Sequence, residues 1–207
     1  MGKVPAAVAA LIICMSGSGA SAADATCPTQ ADLGAGIRVD YADGSSVRYR
    51  TGDGGNVEIT EVPDDGDAVL LQSRHGLYDL SAFSAPAAGG EPAPVEMTEY
   101  DLAPDDLPLP EPATAWTGRV TISTPDGRRE TMTVVYVFGA PETAEIGGCS
   151  YPSVNVKASF LGEGGWIWQE FTYFLDLGFG TLTASQFEGD EMPLRSEPVA
   201  LALAAAP

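Results

Sequence analysis

Apolar and polar residues alternate along most of the chain with a period of two, which is typical of β-strands whose two faces meet different surroundings. The first such stretch starts at Ile37, where Val39 and Tyr41 continue an apolar face between charged residues. Asp43 and Gly44 follow, and this pair favours the backbone geometry of a tight hairpin turn. The pattern predicts an antiparallel hairpin at the start of the fold.

Further strand-like segments follow at regular spacing, separated by turns rich in glycine, aspartate or proline. They cover residues 47–50, 57–60, 68–73, 77–83, 116–124, 131–138, 153–160, 166–175 and 181–187. No segment has a clear helical period, although residues 29–33 leave room for a short helix. The sequence therefore predicts an all-β fold, an antiparallel curved sheet (half-barrel, barrel or sandwich) of about 8–10 strands with little helix.

The segment 131–138 carries large side chains on both of its faces. Met132 and Tyr136 share one face, whereas Val135 and Val137 share the other. Apolar residues on both faces are typical of a strand that is covered on both sides. We therefore expect a central strand here, buried on both faces.

Residues 84–114 carry seven prolines, seven acidic residues and no basic residue. Proline cannot donate a backbone hydrogen bond, so this segment is not expected to pair as a central strand. It is predicted to be a loop or linker between a first β half (23–83) and a second β half (115–190), with a C-terminal tail at 191–207. A solvated linker is the favoured interpretation. A lid over the sheet, or a docking strip for a basic partner, is the alternative.

The first 22 residues have the three parts of a secretory signal peptide. Lys3 supplies the positive charge, residues 4–15 are apolar, and Ala20 and Ala22 are the small residues of a cleavage site. The apolar stretch is shorter than the roughly 20 residues that a membrane-spanning helix needs. We expect cleavage after Ala22, a periplasmic or secreted product, and no integral membrane segment in the mature chain.

Cleavage would remove one cysteine, Cys14, and leave Cys27 and Cys149. A pair of cysteines in an oxidising compartment is most simply a disulfide, and no CxxC spacing favours a redox or metal pair. Lipidation of Cys14 is not expected, because Ile12 and Ile13 stand where a lipidation signal needs a small residue. The sequence therefore predicts the disulfide Cys27–Cys149.

The chain is strongly acidic, with 10 basic and 29 acidic residues and a net charge of −19. Loss of Lys3 with the signal peptide leaves nine basic residues and a charge of −20. Nucleic acid is excluded as a partner because phosphate neutralisation needs lysine and arginine. Solubility is the simplest role of this charge. A specific basic partner, such as a basic envelope protein, or bound cations are the alternatives.

No residue set matches a catalytic or metal-binding motif. His75 is the only histidine and occurs in a turn, without the partner residues that a zinc site or a general base needs. The acidic turns 53–56 and 64–67 offer oxygen atoms but lack EF-hand spacing. Glu170, among aromatic residues, leaves glycoside chemistry as a weaker hypothesis. The sequence favours no enzymatic activity, no cofactor and no metal site.

The strand 166–175 is the richest in aromatic residues. Trp166 and Trp168 share one face, and Phe171 and Tyr173 lie on the other. These side chains form the core if both faces are covered. They form an apolar ligand site if one face lines a concave sheet. The core interpretation is favoured, and these four residues are the candidate ligand-binding residues.

Two runs of sequence resemble known exported bacterial proteins. Tyr173, Gly178, Gly180 and Leu182 match the Y-x-x-x-x-G-x-G-x-(V/L) segment of domains similar to the lipoprotein carrier LolA. This resemblance implies a curved antiparallel half-barrel around an apolar groove. Separately, the runs C-P-T at 27–29 and G-I-x-V-x-Y-x-D-G at 36–44 resemble small uncharacterised envelope β-proteins, and imply no activity.

The sequence supports two functional hypotheses. The first is an exported envelope protein without enzymatic activity, which is structural or binds another protein. It depends on the missing motifs, the predicted disulfide and the acidity. The second is a carrier or binder of an apolar, lipid-like ligand in a curved β-sheet groove. It depends on the aromatic strand and on the resemblance to LolA-like domains.

Overall fold

The computed structural model describes residues 26–61, 67–85 and 90–204. The predicted signal peptide (1–22) with its cleavage site, Cys14, and residues 64–66 of one acidic turn lie outside the described residues. Among the residues that are described, no helix is long and apolar enough to cross a membrane.

The regular structure consists of β-strands joined by turns and three short 3₁₀-helices, which confirms the predicted all-β fold. The strands are β1 Ile37–Tyr41, β2 Ser46–Thr51, β3 Val57–Glu61, β4 Ala68–Arg74, β5 Tyr78–Ala85, β6 Ala93–Tyr100, β7 Ala115–Ser123, β8 Arg129–Ile146, β9 Cys149–Gly162, β10 Gly165–Phe174, β11 Phe179–Phe187, β12 Leu194–Arg195 and β13 Pro198–Leu203. The 3₁₀-helices are Gln30–Gly34, Asp53–Gly55 and Pro104–Asp106. The first of them overlaps the short helix for which the sequence left room.

The strands form one 13-stranded antiparallel sheet that is not closed into a barrel. From β1 to β12 each strand pairs with its neighbours in the chain, and β13 returns to pair with β1. Such a meander needs only short connections between antiparallel neighbours. The predicted antiparallel sheet is confirmed, and it has more strands than the sequence indicated.

The two edges of the sheet meet at one short piece of chain. The Ser196 amide donates to the Thr183 carbonyl of β11, with an N···O distance of 2.9 Å. The next residue, Glu197, accepts from the Ala42 amide beside β1, also at 2.9 Å. Because two consecutive residues bind opposite ends of the sheet, the sheet must curl until its ends face each other. The curl creates an enclosed inner side.

The proline-rich segment 84–114 contains a strand, which corrects the expectation that it would not pair centrally. β6 pairs with β5 on one side and with β7 on the other. Pro94 lies opposite Phe83, next to a β-bulge. A bulge leaves a residue outside the ladder, so a proline is tolerated there. Beyond β6 the segment returns to the protein surface and is anchored by Leu107, which is 3% exposed.

The C-terminal tail 191–207 also differs from the expectation, because it holds β12 and β13. β13 pairs with β1 and places Leu201 opposite Val39. Alanines occupy the positions where an alternating strand would carry polar residues, so the sequence shows no alternation of polar and apolar residues there.

The expectation that the strand at 131–138 is buried on both faces is also wrong. In β8, Met132 and Tyr136 are buried, but Val137 on the other face is 46% exposed.

Buried apolar side chains form two clusters. The first core joins β1–β3 to the β8–β9 turn, β10 and β11, and comprises Leu33, Ile37, Val39, Tyr41, Tyr49, Val57, Ile59, Ile146, Cys149, Tyr151, Phe174, Leu177, Phe179 and Leu201. The second core comprises Leu77, Tyr78, Leu107, Val120, Met132, Val134, Tyr136, Phe138, Val154, Val156, Ala158, Phe160, Phe171 and Tyr173.

The β4–β5 turn reaches across the fold to β11. The Gly180 amide donates to the His75 carbonyl at 3.0 Å. Gly76 has a φ of 63°, and a Cβ there would lie 3.0 Å from the Gly180 backbone. Only glycine fits this close backbone contact without strain. The turn thereby ties the first half of the sheet to the second.

The predicted disulfide Cys27–Cys149 is present, with the two Cα atoms 5.7 Å apart. It links the segment before the first 3₁₀-helix to the start of β9, at a sequence separation of 122 residues. In the chain-entropy account, a bond that closes so long a loop stabilises the folded state by about 5 kcal/mol.

Candidate functional site

Three neighbouring cavities lie inside the curl of the sheet, and we refer to them together as the lumen. The mouth cavity, of about 650 Å³, lies between the β7–β8 turn, the β9–β10 turn and the end of β11. The middle cavity, of about 210 Å³, shares Glu96, Ile122, Ile167 and Phe187 with the mouth cavity. The mouth cavity is within the size range of small-molecule binding sites.

The inner cavity, also of about 210 Å³, lies deepest in the curl. It shares Asp79 and Gln169 with the middle cavity. Its other walls come from β2, β3, β4, β10 and β11. The apolar side chains that line the middle and inner cavities are Ile59, Leu71, Leu77, Ile122, Phe160, Ile167, Phe171, Leu182 and Phe187. The middle and inner cavities are therefore mainly apolar, whereas charged residues also line the mouth cavity.

Three partly buried carboxylates interrupt the apolar walls of the lumen. Glu96 lines the mouth and middle cavities, Asp79 the middle and inner cavities, and Glu61 the inner cavity. None of the three forms an ion pair with a cation among the described residues, whose ion pairs all lie elsewhere. The lumen thus holds acidic groups without basic partners.

Burial governs the protonation of these acids. It raises the pKa of Asp79 to about 6, and the negative charges of Glu61 and Glu96 raise it further. Burial also raises the pKa of Glu61. Removing a carboxylate from water disfavours its charged form, which accounts for both directions. At neutral pH Asp79 is still mainly ionised.

A buried hydroxyl without a partner lies beside Asp79. Ser73 and Asp79 are directly opposite in the β4–β5 ladder, so their side chains lie on the same face of the sheet. Ser73 is 0% exposed. The Ser73 hydroxyl lies close enough to lower the pKa of Asp79. Its Oγ nevertheless has no described partner at both the distance and the angle of a hydrogen bond. Within the described residues, the Ser73 hydroxyl therefore has no hydrogen bond of normal geometry.

Aromatic hydroxyls beside the middle cavity are held in the neutral form. Tyr136 donates to the Leu77 carbonyl at 3.1 Å, and burial holds its pKa well above the usual range. Tyr100 lies against it and has its pKa raised for the same reason. Tyr78 packs on both rings, with centroids 4.5 Å from Tyr136 and 5.8 Å from Tyr100. This cluster supplies a rigid wall without charge.

The four aromatic residues singled out from the sequence do not form one site. Phe171 is 7% exposed and lines the inner cavity, and Tyr173 is buried in the second core. Trp168 and Trp166 line an outer groove of about 420 Å³ with Leu161, on the opposite face of β10. Trp166, which is 37% exposed, also borders the mouth cavity.

The other sequence candidates lie away from any catalytic arrangement. His75 has a φ of 59° in the β4–β5 turn, and burial lowers its pKa to about 4, with the Arg74 charge adding to the effect. Glu170 accepts from Asn155 Nδ2 at 2.7 Å. Within the described part of the chain, no group of three or more His, Cys, Asp or Glu residues could hold a metal ion.

Sequence reasoning missed the acids of the lumen, although one signal was present. Glu61 continues the alternation of Val57 and Ile59, which places a carboxylate on an apolar face. Asp79 and Glu96 could not be found this way, because β-bulges shift the register beside both residues.

No family model, no curated protein and no solved structure matches this chain. The description of the site therefore depends on the residues of this chain alone.

Proposed function

We propose that this protein binds an apolar small molecule inside the curl of its sheet. The observation that carries the proposal is the lumen, a set of neighbouring cavities of which the middle and inner ones have mainly apolar walls. Protein interiors rarely leave spaces larger than a water molecule without a reason. Apolar cavities with a few polar groups are typical of small-molecule sites.

The same proposal agrees with the expectation from the LolA-like resemblance, which implies a curved sheet around an apolar groove. Export to the periplasm or the medium is part of it. The disulfide supports export, because such bonds persist in oxidising compartments. A binding role is preferred, because the walls of the middle and inner cavities are mainly apolar.

The test is binding of N-phenyl-1-naphthylamine, a neutral probe whose fluorescence rises in apolar surroundings. We expect saturable binding to the mature, disulfide-bonded protein. Thr98 lines the middle cavity, so Thr98→Phe should fill that cavity and weaken binding at least about tenfold, which corresponds to 1.4 kcal/mol.

The matched control is Thr117→Phe, since Thr117 is exposed on the neighbouring strand β7. It adds the same side chain outside the lumen and should leave probe binding unchanged. Absence of saturable binding would refute the proposal. Equal binding by the two variants would show that the probe binds elsewhere, and would also refute it.

A second candidate function, protein binding, is favoured by the outer groove. Trp168, Leu161 and Trp166 give it an apolar surface on the outer face of the sheet. Leu161 is 52% exposed. Contiguous exposed apolar surface is typical of interaction sites. A photo-crosslinking residue placed at Trp168 should give one discrete adduct in the native envelope, and the same residue at Thr117 should give none.

A further inference from the structure

Glu61, Asp79 and Glu96 of the lumen form no ion pair among the described residues, in contrast to the surface acids that pair with arginines. On the protein surface the arginines are neutralised locally, for example Arg50 by Glu58 at 2.6 Å. At the mouth, Arg129 is held by Glu99 at 3.1 Å and Arg128 by Asp126 at the same distance. No described cation reaches Asp79 or Glu61 inside. Basic residues therefore line the mouth cavity but neither the middle nor the inner cavity.

Unpaired buried carboxylates are costly, because burial removes their hydration without replacing it. Proteins usually pair such groups or keep them protonated. Pairing within the described chain is absent. Protonation of Asp79 is incomplete at neutral pH, because its pKa is about 6. The remaining way to satisfy this charge is a cation that arrives from outside.

We infer that the molecule bound in the lumen carries a cationic amine head group, which Asp79 holds while the apolar walls hold the body of the ligand. This inference rests on the proposed function and specifies its ligand class. A primary ammonium group has three N–H donors. Two acceptors line both the middle and the inner cavity, the Asp79 carboxylate and the side-chain oxygen of Gln169. A third, Ser73 Oγ, lies behind the cavity wall, opposite Asp79 in the β4–β5 ladder.

The Ser73 hydroxyl lies beside Asp79 and has no hydrogen bond of normal geometry among the described residues. A fully buried hydroxyl without such a hydrogen bond costs free energy in the empty protein. Its position opposite Asp79 places it on the same face of the sheet as this carboxylate. An ammonium group beside this carboxylate would donate to both oxygens and remove both penalties at once.

The charge distribution disfavours the other ligand classes. An anionic head group, such as a carboxylate, would be repelled by Glu96, Asp79 and Glu61 in the middle and inner cavities, where no basic residue lines the wall. A bare metal ion lacks a suitable site, because the lumen acids do not converge into a metal-binding group within the described residues. The net charge of −19 also raises the local concentration of cations.

The test is displacement of N-phenyl-1-naphthylamine at pH 7.5 by three twelve-carbon compounds, each below its micelle concentration. They are dodecylamine, which is cationic at this pH, dodecanol, which is neutral, and dodecanoate, which is anionic. We expect dodecylamine to displace the probe at a concentration at least about tenfold lower than dodecanol, as a charge-assisted hydrogen bond implies. Dodecanoate should be the weakest of the three.

The variant Asp79→Asn should reduce the preference for dodecylamine over dodecanol to about threefold or less, each displacement being referred to the probe affinity of that same variant. The matched control is Asp176→Asn, which removes the same charge from an exposed position and should keep the full preference. A preference that falls equally in both variants would be an effect of net charge and would overturn the inference.

The outcomes separate the two proposals. If the probe does not bind, the proposed function and this inference both fall. If the probe binds but dodecylamine and dodecanol displace it equally from the wild-type protein, only the inference falls. The wild-type comparison decides this without any variant.

Discussion

A hydrogen-bonded triad in the first core and the acids of the lumen treat buried polar groups in opposite ways. In the triad, the Tyr41 and Tyr49 hydroxyls both meet Thr181 Oγ1, at 2.6 and 2.8 Å, and Tyr49 stacks on Phe179 with ring centroids 4.3 Å apart. Every polar atom of that triad has a partner. At the lumen, Ser73 Oγ has no hydrogen bond of normal geometry and the Asp79 carboxylate has no ion pair among the described residues.

The contrast separates structural from functional burial. A buried polar group without a hydrogen bond costs roughly 1–3 kcal/mol, so a fold retains few of them. The triad shows that this sequence can satisfy polar groups that it buries. Among the described residues, Tyr151 OH of the first core, Ser153 Oγ and Arg74 Nε also lack a hydrogen bond. Ser73 Oγ differs from them because it lies opposite a carboxylate of the lumen, and a ligand that supplies donors gives a physical reason for it.

Loss of the disulfide should have the largest effect on the first core. The double variant Cys27→Ser, Cys149→Ser is expected to lower the free energy of unfolding by about 4–5 kcal/mol, because the unfolded chain regains the freedom of a long loop. Urea denaturation of the two proteins measures the difference. A change below about 1 kcal/mol would mean that the first core is held by packing alone.

The two faces of β10 should respond differently to truncation. Phe171 lines the inner cavity and is buried, so Phe171→Ala should cost about 3–5 kcal/mol of stability. Trp168→Ala, on the outer face, should cost less than about 1 kcal/mol. Thermal and urea unfolding of both variants provide the comparison. Equal losses would show that the outer groove is part of the core.

The charge of Asp79 should make the lumen less stable as the pH rises. Burial raises its pKa from 3.8 to about 6, so the folded protein binds a proton more tightly than the unfolded chain. Its effect on stability is therefore absent below about pH 4, grows as the pH rises towards 6, and is complete above that. Because one pKa unit corresponds to about 1.4 kcal/mol, Asp79→Asn should add at most about 3 kcal/mol above pH 6.

Urea unfolding at several pH values between 4 and 8 measures this difference. The gain from Asp79→Asn should fade towards pH 4, whereas Asp176→Asn on the surface should show no comparable trend. A loss of stability above pH 6 in Asp79→Asn would contradict the account, because it would mean that the ionised carboxylate has a partner.

Removing a hydroxyl should give the smallest effects and the sharpest contrast. Thr181→Val leaves two buried tyrosine hydroxyls without their shared partner and should cost about 1–3 kcal/mol. Thr181→Ser keeps the hydroxyl and should lose less. Ser73→Ala removes a hydroxyl that has no partner, so stability should change by less than about 0.5 kcal/mol or rise. Similar losses for Thr181→Val and Ser73→Ala would remove the distinction between the two regions.

The sequence predicted the strands whose faces differ clearly in polarity. β1 and β9 alternate regularly, and both occur where the alternation is found. β6 was missed because its prolines argue against pairing, and a β-bulge beside Pro94 removes that objection. β13 was missed because alanine fills its polar positions. Local pattern therefore indicates a strand only where its two faces meet different surroundings.

The candidate site could be predicted only in part, because it depends on the curl of the sheet. The sequence placed Phe171 and Trp168 on opposite faces of one strand, but it could not say which face turns inward. Asp79 and Gln169 come from β5 and β10, which do not pair with each other. Their meeting at one cavity follows from the closure of the curl near Ser196 and Glu197, which no local pattern records.

Native mass spectrometry of the protein, purified from its native cells without detergent, tests the central claim most directly. The account predicts a wild-type mass that exceeds the disulfide-bonded chain by one small apolar molecule. Thr98→Phe should lose this extra mass, and Thr117→Phe should keep it. A wild-type protein with the mass of the chain alone, or an adduct retained equally by both variants, would contradict the claim that the lumen holds a ligand.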